Sequence, residues 1–225
     1  MINLMLVDDH DLVRLGFTRL LSDVKGIAVV GEARNGEDAV KLAKTLKPDV
    51  VLMDVKMPGI GGLEATRKIL RLLPDTKIIA VTVYGDEPYP SRFLQAGACG
   101  YITKGSSLDE MVKAIRTVFN GQRYLCPEVA QLLALKHFNE ENASPFESLS
   151  ARELQVMMMI TAGQKVQDIS DSLCLSAKTV NSYRYRLFEK LHVNSDVELT
   201  HLAIRHGLID TEGADADSSE HTTDE

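Results

Sequence analysis

The chain has 225 residues, enough for one large domain or two small ones, and at 44% hydrophobic and 25% charged residues it can bury an ordinary core. Its three cysteines, Cys99, Cys126 and Cys174, stand far apart with no CxxC spacing, which argues against a disulfide framework or a structural zinc and for a reducing, cytoplasmic setting. No basic stretch leads a long apolar run, and nowhere do 18 apolar residues follow one another, so neither a signal peptide nor a membrane span is expected. The net charge of −7 lies entirely at one end. Residues 209–225 carry seven acids and no lysine or arginine, whereas residues 1–125 carry 17 basic and 15 acidic side chains, and residues 149–208 seven and six. Nucleic acid therefore stays open as a partner, because local surface charge decides that.

Residues 2–7 read as a strand ending at Asp8-Asp9-His10. Val13, Phe17, Leu20, Leu21 and Val24 then recur at helical spacing. A short strand at 27–30 is followed by Asn35-Gly36 and a helix through Ala39, Val40, Leu42, Ala43 and Leu46. The run Val50-Val51-Leu52-Met53 stops abruptly at Asp54, followed by Lys56-Met57-Pro58 and the glycines 59, 61 and 62. Such a run reads as a buried parallel strand. Leu63, Ile69, Leu70 and Leu73 form the next stripe, with Thr66 on the same face, and Pro74 stops it. Residues 77–83 form a fourth strand. Pro88 and Pro90 open a short helix that Gly97 ends. Residues 100–103 form a fifth strand, met at once by Lys104-Gly105. Ser107 enters a last helix through Met111, Val112, Ile115, Val118 and Phe119.

Five strands alternating with five helices predict an α/β, doubly wound parallel sheet. The carboxyl ends of its strands share one edge, so Asp8, Asp9, Asp54, Thr82 and Lys104 converge there. Taken alone, Asp54 reads equally as a helix cap and as a reactive carboxylate. With three carboxylates together, a cation is required to offset their repulsion. Hard oxygen donors without a histidine or cysteine cluster suit Mg²⁺. Asp54 then acts as a nucleophile toward phosphorus, with Lys104 and the metal neutralising the phosphoryl oxygens and Thr82 donating to one of them. Glu32, at the end of the second strand, is given no role. A structural ion-pair network at the sheet edge is the plain alternative.

These residues resemble the two-component receiver domain over 1–121. Asp8-Asp9, Asp54-x-x-Met57-Pro58, Thr82 and Lys104 stand where that family has its acidic pair, phospho-acceptor, switch hydroxyl and lysine. The resemblance implies that the Lys56 backbone carbonyl joins Asp8, Asp9 and Asp54 as a Mg²⁺ ligand. It also implies that Tyr101 is a switch aromatic, although Tyr101 reads equally as a half-buried strand residue. Gly105 departs from the proline common after the lysine. A sensor histidine kinase is the implied phosphodonor.

Residues 122–148 form a linker that contains a helix with Val129, Leu132, Leu133 and Leu135, then a polar connection with Asn142, Ser144 and Pro145. From Leu149 the pattern is purely helical. Ser150 and Glu153 make a capping box for one helix, which Gly163 ends. A short second helix with Ile169 and Leu173 and a third capped by Ser176 suit a helix-turn-helix. A fourth, opened by Ser195 or Asp196, runs to Gly207. On an ideal wheel Leu187 and Leu191 each fall within about 20° of Val180. Lys178, Asn181, Ser182 and Tyr185 cluster opposite, flanked by Arg186, a face suited to a major groove or else to solvent. Arg184 lies near the buried side and needs an acceptor or a route out.

Residues 149–208 are similar to the LuxR/NarL-type DNA-binding domain through Leu149-Ser150-x-Arg152-Glu153, Gly163, Ile169, Leu173, Ser176, Lys178-Thr179-Val180 and Lys190-Leu191. That resemblance places Asn181, Ser182 and Tyr185 on bases of double-stranded promoter DNA and Lys165, Lys178, Thr179 and Arg186 on its backbone. The fourth helix, with Val197, resembles the family's dimerisation helix. Lysine, histidine and valine are common where Asn181, Tyr183 and Arg184 stand here. Both halves look closest to the GacA/UvrY type of regulator, which implies a tripartite kinase and activation of small-RNA promoters through RNA polymerase. The expected function is thus a phosphorylation-switched transcription regulator rather than an enzyme, self-catalysing only the gain and loss of its own phosphoryl group. A receiver serving as a protein-interaction module is one alternative. A Mg²⁺-dependent phosphatase with an Asp nucleophile is another, disfavoured by Lys56 where a second acid is wanted. The tail composition predicts disorder; folding back onto the DNA-binding face is the functional alternative.

Overall fold

A computed structural model describes residues 1–83, 89–138, 145–206 and 208, with the backbone alone for 136–138 and 147. Pro88, the polar connection over 139–144, Gly207 and the acidic tail 209–225 lie outside the described residues.

All five expected strands form: β1 (Ile2–Val7), β2 (Ile27–Ala33), β3 (Val50–Asp54), β4 (Lys77–Thr82) and β5 (Gly100–Thr103). A sixth, β6 (Tyr124–Leu125), extends the parallel sheet to the order β2-β1-β3-β4-β5-β6. Two residues carry no period to read, so β6 was illegible in the linker. It exists because Tyr124 and Cys126 N–H groups reach the Cys99 and Tyr101 carbonyls at 3.0 Å each. Around the sheet lie α1 (Asp11–Ser22), α2 (Gly36–Leu46), α3 (Gly61–Leu72), α4 (Tyr89–Gln95) and α5 (Leu108–Phe119). Asn35 caps α2 by accepting from the Asp38 N–H at 2.8 Å, and Ser107 caps α5 through the Glu110 N–H at 3.2 Å.

Alternation along the strands divides the core in two. Met5, Val7, Val51, Met53, Ile78, Ala80 and Tyr101 face α2, α3 and α4, while Leu4, Leu6, Val50, Leu52, Ile79, Val81 and Ile102 face α1 and α5. The chain leaves β1 for β2, then crosses back to β3 on the other side of β1. Loops after β1 and β3 therefore part in opposite directions and leave a crevice between them. On α1 the buried pair is Arg14 and Leu21, while Leu20 of the expected stripe is half exposed.

The linker helix α6 (Pro127–Phe138) buries Val129 against the first core. The helical unit follows: α7 (Ala151–Thr161), α8 (Val166–Leu173), α9 (Ala177–Leu191) and α10 (Asp196–Arg205). Phe146, three residues before the expected start at 149, sits fully buried in its core with Leu154, Met157, Val180, Leu187 and Leu199. The capping box at α7 forms as read, with Glu153 N–H to Ser150 Oγ at 3.2 Å and Ser150 N–H to Glu153 Oε2 at 2.8 Å. Glu153 is buried and also accepts from Lys190 Nζ at 2.7 Å. Burial pushes its carboxyl up, but Lys190 and the Ser150 bonds outweigh this and hold it below the usual range. The turn between α8 and α9 is closed by Leu175 N–H to the Ser170 carbonyl at 2.9 Å and by Ser170 Oγ to the Leu175 carbonyl at 2.6 Å.

Candidate functional site

Asp8 follows β1, Asp54 ends β3, Thr82 ends β4 and Lys104 follows β5, so neighbouring strand ends deliver all four to one edge. Lys104 Nζ lies 2.7 Å from Asp8 Oδ2 and 3.0 Å from Asp54 Oδ2. Asp8 and Asp54 are each 3% exposed and Thr82 5%. Burial and the Asp8 charge push the Asp54 carboxyl up to about 7, while Lys104 pulls against them. Burial works against the Lys104 charge, yet its bonds to Asp8 and Asp54 win and its ammonium is held above the ordinary value. Lys104 is placed by its own N–H, 2.5 Å from the Thr82 carbonyl, so Gly105 does not prevent its side chain reaching both acids.

Asp9 is half buried; its Oδ1 is shielded from solvent and accepts no hydrogen bond among the described residues, although His10 Nδ1 stands 3.1 Å away. One ligand atom each from Asp8, Asp9, His10 and Asp54 lies within 4.8 Å of all the others. An unsatisfied carboxylate oxygen among hard donors fits a divalent cation such as Mg²⁺. No pattern in the sequence marks His10, whose imidazole also reaches 3.3 Å from Asp8 Oδ1. The Lys56 N–H points back to Asp54 Oδ1 at 3.4 Å. Tyr101 is fully buried rather than half buried, edge-on to Phe93 with centroids 6.2 Å apart.

The glycine loop is shaped by this edge. A Cβ at residue 62 would stand 2.0 Å from the Asp54 carbonyl oxygen, so only glycine lets α3 start against the end of β3. Gly59 sits at φ +72, where a side chain would also meet the Glu37 carboxylate.

On α9, Val180, Leu187 and Leu191 are buried as the wheel required. Lys178, Ser182, Tyr185 and Arg186 are exposed, Thr179 and Asn181 half buried, and Lys165 exposed just ahead of α8. Lys178, Thr179, Ser182 and Arg186 line one concavity together with Tyr183, over whose ring Arg186 lies at 5.8 Å. Ser182 Oγ donates to the Lys178 carbonyl at 2.9 Å, and Thr179 Oγ1 pairs with Ser176 Oγ at 2.8 Å. Arg184 finds its acceptor in Asp196, through two bonds of 2.7 and 2.6 Å, and lies over Phe188. Val197 on α10 is exposed.

The two halves meet at the loop after Asp54. Gln155 Nε2 donates to the Met57 carbonyl at 3.0 Å, Arg152 Nη1 donates to the Gly59 carbonyl, and the Gly59 N–H donates to the Ser172 carbonyl at 3.0 Å. Arg152 Nη2 meanwhile holds the Leu173 carbonyl at 2.7 Å. Burial lowers the Arg152 pKa from its ordinary value. Arg92 on α4 adds a 2.5 Å bond to the Phe146 carbonyl, and Tyr89 packs against both cores. Nothing in the spacing of Arg152 or Gln155 signalled this contact.

A doubly wound parallel sheet with an acidic pocket and a lysine at its switch point, joined to a helix-turn-helix unit, defines a receiver coupled to a DNA-binding domain. The chain belongs to the response regulator receiver domain family, matched over residues 4–116, and to the luxR family of bacterial regulatory proteins, matched over residues 147–203. It is thus a two-component response regulator with a LuxR-type DNA-binding domain. The chain is 64% identical over 211 residues to the response regulator GacA of Pseudomonas aeruginosa, covering 93% of this chain and 99% of that one. It is 61% identical over 213 residues to the response regulator UvrY of Escherichia coli, covering 94% and 98%. The RcsB response regulator of Salmonella typhimurium, solved in a study of its conformational dynamism for DNA interaction, superposes with a TM-score of 0.68 at 25% identity, covering 89% of this chain and 95% of that one. Among the described residues no helix is long and apolar enough to cross a membrane.

Proposed function

We propose that Asp54 is phosphorylated by a sensor histidine kinase in the cytoplasm and that the modification switches binding to promoter DNA. The observation that carries this reading is Lys104 bridging two buried carboxylates beside a third whose inner oxygen has no hydrogen bond among the described residues. An Asp54 oxygen attacks the donor phosphorus while the bond from phosphorus to the donor's histidine nitrogen breaks. The imidazole leaves with the electron pair and takes up a proton. Asp8, Asp9 and Asp54, with the Lys56 carbonyl, would hold Mg²⁺, which supplies charge neutralisation of the phosphoryl oxygens. Lys104 then moves its charge from the acids to the phosphoryl group, and the Thr82 hydroxyl donates to a phosphoryl oxygen. Tyr101, buried edge-on against Phe93, is the aromatic that would respond to Thr82 moving toward the site.

Asn181, Ser182 and Tyr185 read bases, and Lys165, Lys178, Thr179 and Arg186 bind phosphates. α10 with Val197 pairs two copies on the DNA. GacA and UvrY similarity supports promoters of small regulatory RNAs as targets and RNA polymerase as the further partner. We place the receiver over 1–125, adding β6, the helical domain from Phe146 to 208, and the linker between.

Acetyl phosphate with Mg²⁺ tests this directly. Intact mass should rise by one phosphoryl group in wild type and not in Asp54→Ala, and promoter affinity in a gel shift should rise in wild type alone. No mass gain in wild type overturns the acceptor role; a mass gain without altered DNA affinity overturns the switch.

A further inference from the structure

We propose that Arg14 and Glu32 position the acidic pair and thereby set its affinity for a divalent cation. This rests on the reading of Asp8 and Asp9 as cation ligands. Among the described residues neither side chain contacts Asp54, Thr82 or Lys104, and the sequence alone assigns Glu32 no role.

Arg14 is a cation only 6% exposed. Three of its nitrogens have directed partners: Nη1 donates to the Asp8 backbone carbonyl at 2.7 Å, Nε to Glu32 Oε2 at 3.1 Å, and Nη2 to Asp11 Oδ1 at 2.5 Å. Glu32 in turn accepts from Thr18 Oγ1 at 2.9 Å. The parallel register explains why these meet, since Leu6 pairs with Glu32 and Val7 with Ala33, and the Asp8 N–H reaches the Ala33 carbonyl at 3.1 Å. The turn that carries Asp8, Asp9 and His10 is thus fastened to β2 by its backbone and to α1 by a guanidinium.

That fastening matters because of what the turn holds. Asp8, Asp9 and Asp54 repel one another, and Lys104 bridges Asp8 and Asp54 but not Asp9. Without an anchor the turn relaxes outward and the carboxylates separate. A cation must then pull them together again, and affinity falls by the cost of that reorganisation. The planar fork of an arginine suits three acceptors in different directions, whereas an ammonium does not reproduce them. Asp11 and Glu32 together supply the charge that lets a guanidinium be buried here.

Charge alone predicts the opposite result. Removing a cation beside an acidic pocket should tighten divalent binding, whereas removing an anchor should weaken it. Isothermal titration of the full chain with Mg²⁺ separates the two. Arg14→Met should lose about tenfold in affinity, in the range usual for groups that orient metal ligands. Arg14→Lys, which keeps the charge, should lose most of that, and Glu32→Gln a smaller part. Glu32→Gln added to Arg14→Met should cost little more than Arg14→Met alone. Arg34→Gln removes an exposed cation that touches Asp11 and not Asp8, and should leave affinity unchanged or slightly higher. If Arg14→Met does not fold, Arg14→Lys decides, because charge alone leaves its affinity at the wild-type value. Variants with lower melting temperatures but wild-type Mg²⁺ affinity would show a merely structural role and overturn the proposal. Wild type that binds no Mg²⁺ would instead overturn the cation reading on which it rests.

Discussion

Burial and the neighbouring Asp8 push Asp54 up to about 7 against an ordinary 3.8, with Lys104 offsetting only part of this. A carboxyl raised on folding binds its proton more tightly in the native state. Its contribution to stability is therefore fully present below 3.8 and is lost as pH rises through about 7. Asp54→Asn removes the ionisable group while keeping the shape. Without Mg²⁺ it should match wild type in urea melts near pH 4 and exceed it increasingly toward pH 8, by at most about 4 kcal/mol. Equal stability at pH 8 would mean that Lys104 fully compensates the charge. Asp54, Asp8 and Lys104 could each be named from sequence because strands end abruptly at polar residues. Arg14 gave a quieter signal, a basic residue three before Phe17 and seven before Leu21 on a buried stripe. Glu32 gave none, because its partners come from another element.

At the scale of elements, the start of α3 is fixed by the end of β3. A methyl at position 62 would overlap the Asp54 carbonyl oxygen at 2.0 Å, and the neighbour is backbone, which has no rotamer to give. Gly62→Ala should therefore destabilise the receiver by about 2 kcal/mol or more, the range of overpacked cores, and reduce phosphoryl uptake from acetyl phosphate. Thermal melts and intact mass read the two effects, and a stable Gly62→Ala with normal uptake would contradict the packing. Most elements were legible because their faces are periodic: α9 buries Val180, Leu187 and Leu191, and the cap at Ser150 carries its own signature. β6 was not, since two residues show neither alternation nor length, and only the free edge of β5 makes them a strand.

For the whole molecule, the loop that follows Asp54 is also the seat of the DNA-binding domain. Met57 and Gly59 carbonyls are held by Gln155 and Arg152, three and five residues after Asp54. The backbone path from Asp54 to the contacts with α7 and α8 is thus five residues long rather than the length of the chain. Gln155→Ala removes the bond to Met57 and leaves the Arg152 bond to Leu173 in place. Together with Arg92→Ala, which releases Phe146, it should loosen the two halves. Small-angle scattering should then give a larger radius of gyration for unphosphorylated protein, with the melting of the helical domain itself unchanged by Gln155→Ala. Unchanged scattering would show that the apolar contacts of Tyr89 hold the halves without these bonds.

The alternation of strands and helices, most helix faces, the Ser150 cap and the convergence of Asp8, Asp54, Thr82 and Lys104 followed from sequence alone, because hydrophobic period and strand ends are local and a parallel sheet puts every carboxyl end on one edge. Three things were decided only by tertiary structure: the anchoring of Asp8 by Arg14 and Glu32, the pairing of Arg184 with Asp196, and the grip of Arg152 and Gln155 on the loop after Asp54. Each joins a polar side chain to a carbonyl or carboxylate from another element. Hydrogen bonds of that kind depend on distance and direction in space, and neither leaves a period in the chain.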